Sequence, residues 1–298
     1  MKKKILALIL ACAMILALAA CSGSANTEQP AAENTASDAA EAPAASEETA
    51  ASAEGKTYTV GVCQLVQHEA LDAATQGFCD ALTEALGDAV TIDVQNASGD
   101  SVNCGTIVNG FVSKNVDLIM ANATPALTAA ASATADIPIL GTSITAYGVA
   151  LDIADFSGTV GGNISGTSDL ADLSAQAQMI LDWFPETQKV GLLFCSAEPN
   201  SRYQIEEVAK YLSDKGVETE EFAFTDTNDV ASVTQSAADY SDVVYIPTDN
   251  TAAANTEAIG NVLIPAGVPA ICGEEGICRG CGVATLSISY YDLGVTTG

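Results

Sequence analysis

From Tyr58 onward the chain writes one alternation of strand and helix twice, and that repeat limits its fold more than any single motif does. Tyr58–Gln64 is a short β-branched run, and after it Leu71, Thr75, Phe78, Leu82 and Ala85 fall on one helical face between His68 and Leu86. The period changes from two to 3.6 residues at that point. Strands are expected at 90–95, 117–121 (DLIMA) and 137–140, with helices at 100–114 and 125–135 between them, whereas 141–161 has no clear period. A crossover strand is expected at 163–166. The pattern then restarts, with a helix carrying Leu170, Leu173, Ala177, Ile180 and Phe184, strands beginning at 189, 217, 243 and 268, and helices between these. Strands separated by helices give parallel sheets of right-handed βαβ units. Two such runs predict two α/β lobes, at 57–165 and 166–282, facing one cleft. Residues 283–298 read as a further strand and a helix that returns to the first lobe and is cut short, so the chain is expected to be truncated at its C-terminus. Trp183, on a helical stripe, is expected in the core.

The segment before this domain has its own signature. Lys2, Lys3 and Lys4 precede an apolar run from Ile5 to Ala20, as in a secretory signal. Leu18-Ala19-Ala20-Cys21 reads as a cleavage site whose cysteine sulfur receives a diacylglycerol; the other reading is an uncleaved span, although sixteen residues fall short of the roughly 17–25 a membrane helix needs. Residues 22–56 have seven acidic residues, one lysine and no large aliphatic or aromatic side chain, so they form a solvated linker that cannot offset its own ordering entropy.

Charge narrows the partners. The chain carries −28, and removing the three signal lysines leaves 7 Lys+Arg against 38 Asp+Glu, a charge of −31. Nucleic acid and anionic lipid would both be repelled. Enzymatic motifs are missing: no GxGxxG follows a strand, and no GxxxxGK[ST] or GxSxG occurs. No cofactor is expected. Of nine cysteines, Cys12 leaves with the signal and Cys21 is lipidated; several of the remaining seven sit in apolar patterns as small core residues. The exception is Cys278-Arg279-Gly280-Cys281, readable as a loop disulfide, free thiols, half a metal site or a redox pair.

Five blocks, in order, carry a family resemblance: 60–68 (VGVCQLVQH), 123–126 (ATPA), 164–169 (ISGTSD), 196–201 (SAEPNS) and 247–251 (PTDNT). Together they resemble the periplasmic-binding-protein-like ABC substrate-binding family that includes tryptophan-binding lipoproteins. The resemblance implies a type I periplasmic binding fold with two Rossmann-like lobes joined by crossovers, membrane permease and ATPase partners, and an aromatic amino acid as ligand; with the signal and Cys21, the chain is expected as a monomer anchored on the outer face of the cell membrane. At Thr145-Ala146 the chain departs from the pattern, since relatives often place an aspartate after this threonine.

Ligands of open parallel sheets sit beyond the carboxyl ends of the strands, which is where these blocks fall. Thr124 and Pro125 are readable as N-cap and first helical residue, and the free amides there suit a ligand carboxylate. Asn200 and Ser201 follow the strand KVGLLF, and Asp249 and Asn250 follow VVYIP. Asp249 reads either as the partner of an α-ammonium or as an N-cap. Gln64 and His68 end the first strand, His68 also being readable as a plain helix cap; Ser143 and Glu274 end two others. Besides capture for import, two readings stay open: a sensor feeding a membrane receptor, and a CxxC redox protein.

Overall fold

The computed structural model describes residues 55–298. The signal, Cys21 and nearly all of the linker expected at 21–56 lie outside the described residues. The first sheet is built from β1 (Tyr58–Gln64), β2 (Val90–Asn96), β3 (Leu118–Asn122), β4 (Ile139–Ile144) and β5 (Ile164–Ser168), in the order β2-β1-β3-β4-β5 with every pair parallel. The second uses β6 (Lys189–Cys195), β7 (Glu218–Phe224), β8 (Val243–Ile246), β9 (Ala270–Cys272) and β10 (Ala284–Thr285), in the order β10-β9-β8-β6-β7. Counted within its own sheet, each lobe is therefore 2-1-3-4-5, a doubly wound order whose switch point lies beside the first strand. The segment expected as a crossover near 163–166 is a full fifth strand of the first sheet, which extends to Ser168.

Position in the sheet explains the composition of each strand. β1 and β6 lie between two neighbours and are buried on both faces from Val60 and Val190 onward, so they read as continuous apolar runs. β7 is an edge, and Glu218, Glu220 and Glu221 keep it from pairing further. Both inner strands carry a Val-Gly step. A Cβ on Gly61 would lie 2.5 Å from the Phe111 ring, and one on Gly191 would strike Ser241, so glycine lets the next layer close on the sheet.

Helices α1 (Glu69–Leu86), α2 (Ser101–Ser113), α3 (Thr124–Ala133) and the single turn α4 (Tyr147–Ala150) belong to the first lobe. The second lobe has α5 (Leu173–Trp183), α6 (Pro199–Asp214), α7 (Val230–Tyr240), α8 (Asn250–Ala254), α9 (Thr256–Ala266) and α10 (Glu275–Cys281). Helix α11 (Tyr290–Thr297) packs on α1, where Gly77 lies against the Tyr291 carbonyl and Gly294 against that of Ala74. The chain thus crosses between lobes after β5 and after β10. The two crossings are tied together where Tyr290 Oη donates to Asp169 Oδ2 at 2.9 Å. Each lobe has its own core, centred on Phe111, Ile119 and Leu127 in the first, and on Leu193, Phe224 and Tyr245 in the second. Trp183 belongs to neither: it closes α5 with 58% of its surface exposed, which corrects the core expectation. No helix among the described residues is long and apolar enough to cross a membrane.

Candidate functional site

The carboxyl ends of the first sheet form a polar row, with Gln64 in register with Asn96 on one side and Asn122 on the other, and Asn122 with Thr142 beyond. The turns leaving these strands meet the turns leaving β6 and β8 of the other lobe. Leu65, Val66, Ser101 and Pro125 face Ala197, Glu198 and Asn250 around a space of about 370 Å³. A neighbouring space of about 450 Å³ lies between Thr124, Pro125 and Thr128 on one side and Ala197 and Pro199 on the other. Both volumes fall in the roughly 300–1,000 Å³ range of small-molecule sites.

The lobes are in direct contact across this space. His68 Nε2 lies 3.3 Å from Asn250 Oδ1. The Asn250 amide nitrogen donates to Glu198 Oε2 at 2.7 Å, which leaves its oxygen to accept from His68 and so assigns the proton to Nε2. His68 Nδ1 is then a bare acceptor, buried and without a partner. Burial holds the His68 pKa below its ordinary value, against the upward pull of the Asn250 hydrogen bond and the Glu198 and Asp72 carboxylates, so the ring is neutral near pH 7. His68 stands at the N-cap position of α1 but makes no side-chain cap bond, which corrects its reading as a plain cap.

Glu198, which the sequence reading passed over, organises the second wall. Its Oε2 also accepts from Asn250 N at 3.0 Å, and its Oε1 takes Thr251 N and Thr251 Oγ1, each at 2.8 Å. The acid at the end of one strand thereby caps the helix after another. Its position in the short turn between a strand and Pro199 was the signal available in the sequence. Asn200 Nδ2 points at Glu198 Oε2 and the Thr248 carbonyl, each at 3.3 Å, so Asn200 Oδ1 is a second buried acceptor with no partner. Gln204, also missed, fixes the same turn, donating to the Thr248 carbonyl and accepting from Thr248 N.

Several expected ligand contacts are used inside their own lobes. Asp249 is the N-cap of α8: Oδ1 accepts from Ala252 N at 2.8 Å and Oδ2 from Cys195 N at 2.7 Å, so each oxygen already serves a contact within its own lobe. Burial, and then the Glu198 carboxylate beside it, push its carboxyl up to about 7. Gln64 is likewise committed, donating to Asp72 and the Val66 carbonyl and accepting from Thr75. Ser201 is fully buried against Asn200. Glu274 caps α10 through Gly276 N and Ile277 N, and lines a separate mouth with Glu69 and Tyr290; burial raises its carboxyl.

Backbone strain marks the first lobe's wall. The N-cap of α3 is Ala123 rather than Thr124, with φ at 90°, and Thr124 opens the helix with Pro125 second. No side chain caps these amides. Ser143, at the end of β4, has φ at 55° and a buried Oγ without a partner. Non-glycine residues held at positive φ cost of order 1–3 kcal/mol and gather at binding sites.

Two parallel α/β lobes of identical strand order, crossed twice by the chain and closing strand-end turns over a shared space, define the class of type I periplasmic binding proteins. Residues 59–298 match the model of the ABC transporter substrate binding protein family. The chain belongs to that family. It is 33% identical over 246 residues to the tyrosine-binding protein of Clostridioides difficile strain R20291, spanning 82% of this chain and 71% of that one. Among solved structures, an ABC domain in complex with L-Trp from Streptococcus pneumoniae is 32% identical, with a TM-score of 0.78 over 82% of this chain and 83% of that one. A ligand-free, open structure of a substrate-binding protein with adhesive properties from Clostridium difficile is also 32% identical, over 81% and 82%, but its TM-score is 0.58.

Proposed function

We propose that this chain is the lipid-anchored, extracytoplasmic capture component of an ABC importer and that it holds an aromatic amino acid of the tyrosine or tryptophan kind between its lobes. The observation that carries the reading is a buried acceptor left without a partner in each lobe, His68 Nδ1 and Asn200 Oδ1, with His68 also at the contact between the lobes. An α-ammonium supplies donors to such atoms. The uncapped first turn of α3, with Thr124 and Pro125, suits the α-carboxylate through its free amides and positive dipole end. Support for the aromatic class comes from the tyrosine-binding relative and from the L-Trp complex. The reading includes permease and ATPase subunits, a monomeric state and a lipid on Cys21; family membership supports the transporter partners, and the sequence before residue 55 supports the lipid.

Capture requires no bond chemistry. Ligand contacts to both walls favour the closed pair of lobes over the open one by their differential affinity, and the permease distinguishes the two. Thermal unfolding with tyrosine, tryptophan and phenylalanine tests this. Ligand at a hundred times Kd adds about 2.7 kcal/mol, a rise in Tm of about 5–10 °C. Silence with all three, alongside a shift with a sugar, nucleoside or peptide, overturns the ligand class.

A further inference from the structure

Three cysteines in the second lobe take no part in the cleft. Cys272 ends β9, Cys278 and Cys281 lie a turn apart on α10, and α10 packs on β9. Spacing alone pairs Cys278 with Cys281, but the packing of α10 on β9 brings Cys272 against the same helix. Gly282 shows how they meet: a Cβ there would collide with Cys272 Sγ and stand 3.0 Å from Cys278 Cα. The missing side chain leaves a slot in which the sulfur of Cys272 reaches α10 at the level of Cys278. Cys281 is buried, with its thiol directed to the Ile277 carbonyl of its own helix at 3.3 Å. Cys272 is fully buried, whereas Cys278 is partly exposed. Among the described residues no three His, Cys, Asp or Glu side chains are grouped to hold a metal ion.

We propose that Cys278 and Cys272 form a dithiol–disulfide couple, a site of reversible oxidation outside the ligand cleft. The oxidant is a small-molecule or protein disulfide. The Cys278 thiolate attacks one sulfur of that disulfide, its S–S bond breaks, and one thiolate leaves. Cys272 then gives up its proton and attacks Cys278 Sγ, forming the internal S–S bond and releasing the second thiolate. Two protein thiols are oxidised, one external disulfide is reduced to two thiols, and the released protons go to those thiolates or to solvent. Exposure makes Cys278 the attacking group. The neighbouring Cys272 thiol lowers the Cys278 thiol to about 7, against burial and the Glu274 and Glu275 carboxylates. The cross-link would bracket the turn presenting Glu274, on the helix whose Arg279 pairs with Glu69 of the other lobe.

Dithionitrobenzoate, an aromatic disulfide that releases a coloured thiolate, tests the couple on the full chain at pH 7.5. After alkylation of residual thiols, cleavage following Glu275 and Arg279 separates all three cysteines for mass mapping. The wild-type chain should yield a Cys272–Cys278 cross-link without bound reagent. It should also release two more coloured thiolates than Cys278→Ser, which sets the background of the other cysteines. Cys272→Ala should release one and keep the reagent on Cys278, while Cys281→Ser should cross-link as before. A Cys278–Cys281 link, reagent retained on wild-type Cys278, or no release above background overturns the proposal. The wild-type map decides alone if a variant fails to fold.

Discussion

At the residue scale the site depends on which polar atoms the fold has already used. Gln64, Ser201 and Asp249 follow strands as ligand contacts do, yet each spends its hydrogen bonds within its own lobe. His68 and Asn200 retain an open acceptor. His68→Ala should therefore weaken ligand binding about tenfold or more, the cost of roughly 1–3 kcal/mol for losing a buried hydrogen bond, read by titration calorimetry. Asn250→Ala removes the partner that orients the ring, and the double variant should lose less than the sum of the two, as residues sharing one hydrogen bond do. Asp249 carries a different prediction. Its folded pKa of about 7 lies above the ordinary carboxylate value, so its contribution to stability is fully present below that ordinary value and is lost as pH rises toward 7. Asp249→Asn sets an amide against Cys195 N and should destabilise the fold by about 1–3 kcal/mol, while narrowing the gap in urea midpoint between pH 5 and pH 8. An unchanged gap would move the titration to another group.

At the scale of elements, periodicity placed nearly every helix and strand because the buried face of each repeats at its own period. It failed where burial is brief or packing sets the boundary. The tail of β4 and the turn α4 lie in the stretch without a period, and β5 runs two residues past the strand expected at 163–166; Tyr147 Oη ties them together by donating to the Gly141 and Thr167 carbonyls. Local chemistry also misled at α3. Thr-Pro reads as cap and first residue, but the strand carries the chain into a strained Ala123 and starts the helix one residue early. The α11–α1 contact was legible only as a direction of travel; its closeness rests on two glycines 217 positions apart in sequence. Gly294→Ala places a Cβ against the Ala74 carbonyl and should cost about 1–3 kcal/mol, a loss of several degrees in Tm by calorimetry. A neutral result would mean that α11 is dispensable to the first lobe.

At the scale of the whole molecule, charge is the governing term. The chain carries −28, and burial raises the carboxyls of Asp169, Asp249 and Glu274 together. Lowering the pH from 8 toward 5.5 neutralises repelling charge and favours the folded state, so Tm should rise across that range. His68, held below its ordinary value, works in the opposite direction as pH falls below about 6.5. A Tm that falls steadily from pH 8 to 5.5 would contradict this balance. The sequence by itself determined two α/β lobes, their parallel sheets and the family, because side-chain period and block order are local properties written along the chain. Only the tertiary structure decided which strand-end residues remain open to a ligand, that Glu198 rather than Asp249 organises the wall, and that Cys272 stands beside Cys278. A polar atom's availability depends on neighbours that folding brings from 50 to 180 positions away, as Glu198 to Thr251 and His68 to Asn250 illustrate, and no spacing rule contains that distance.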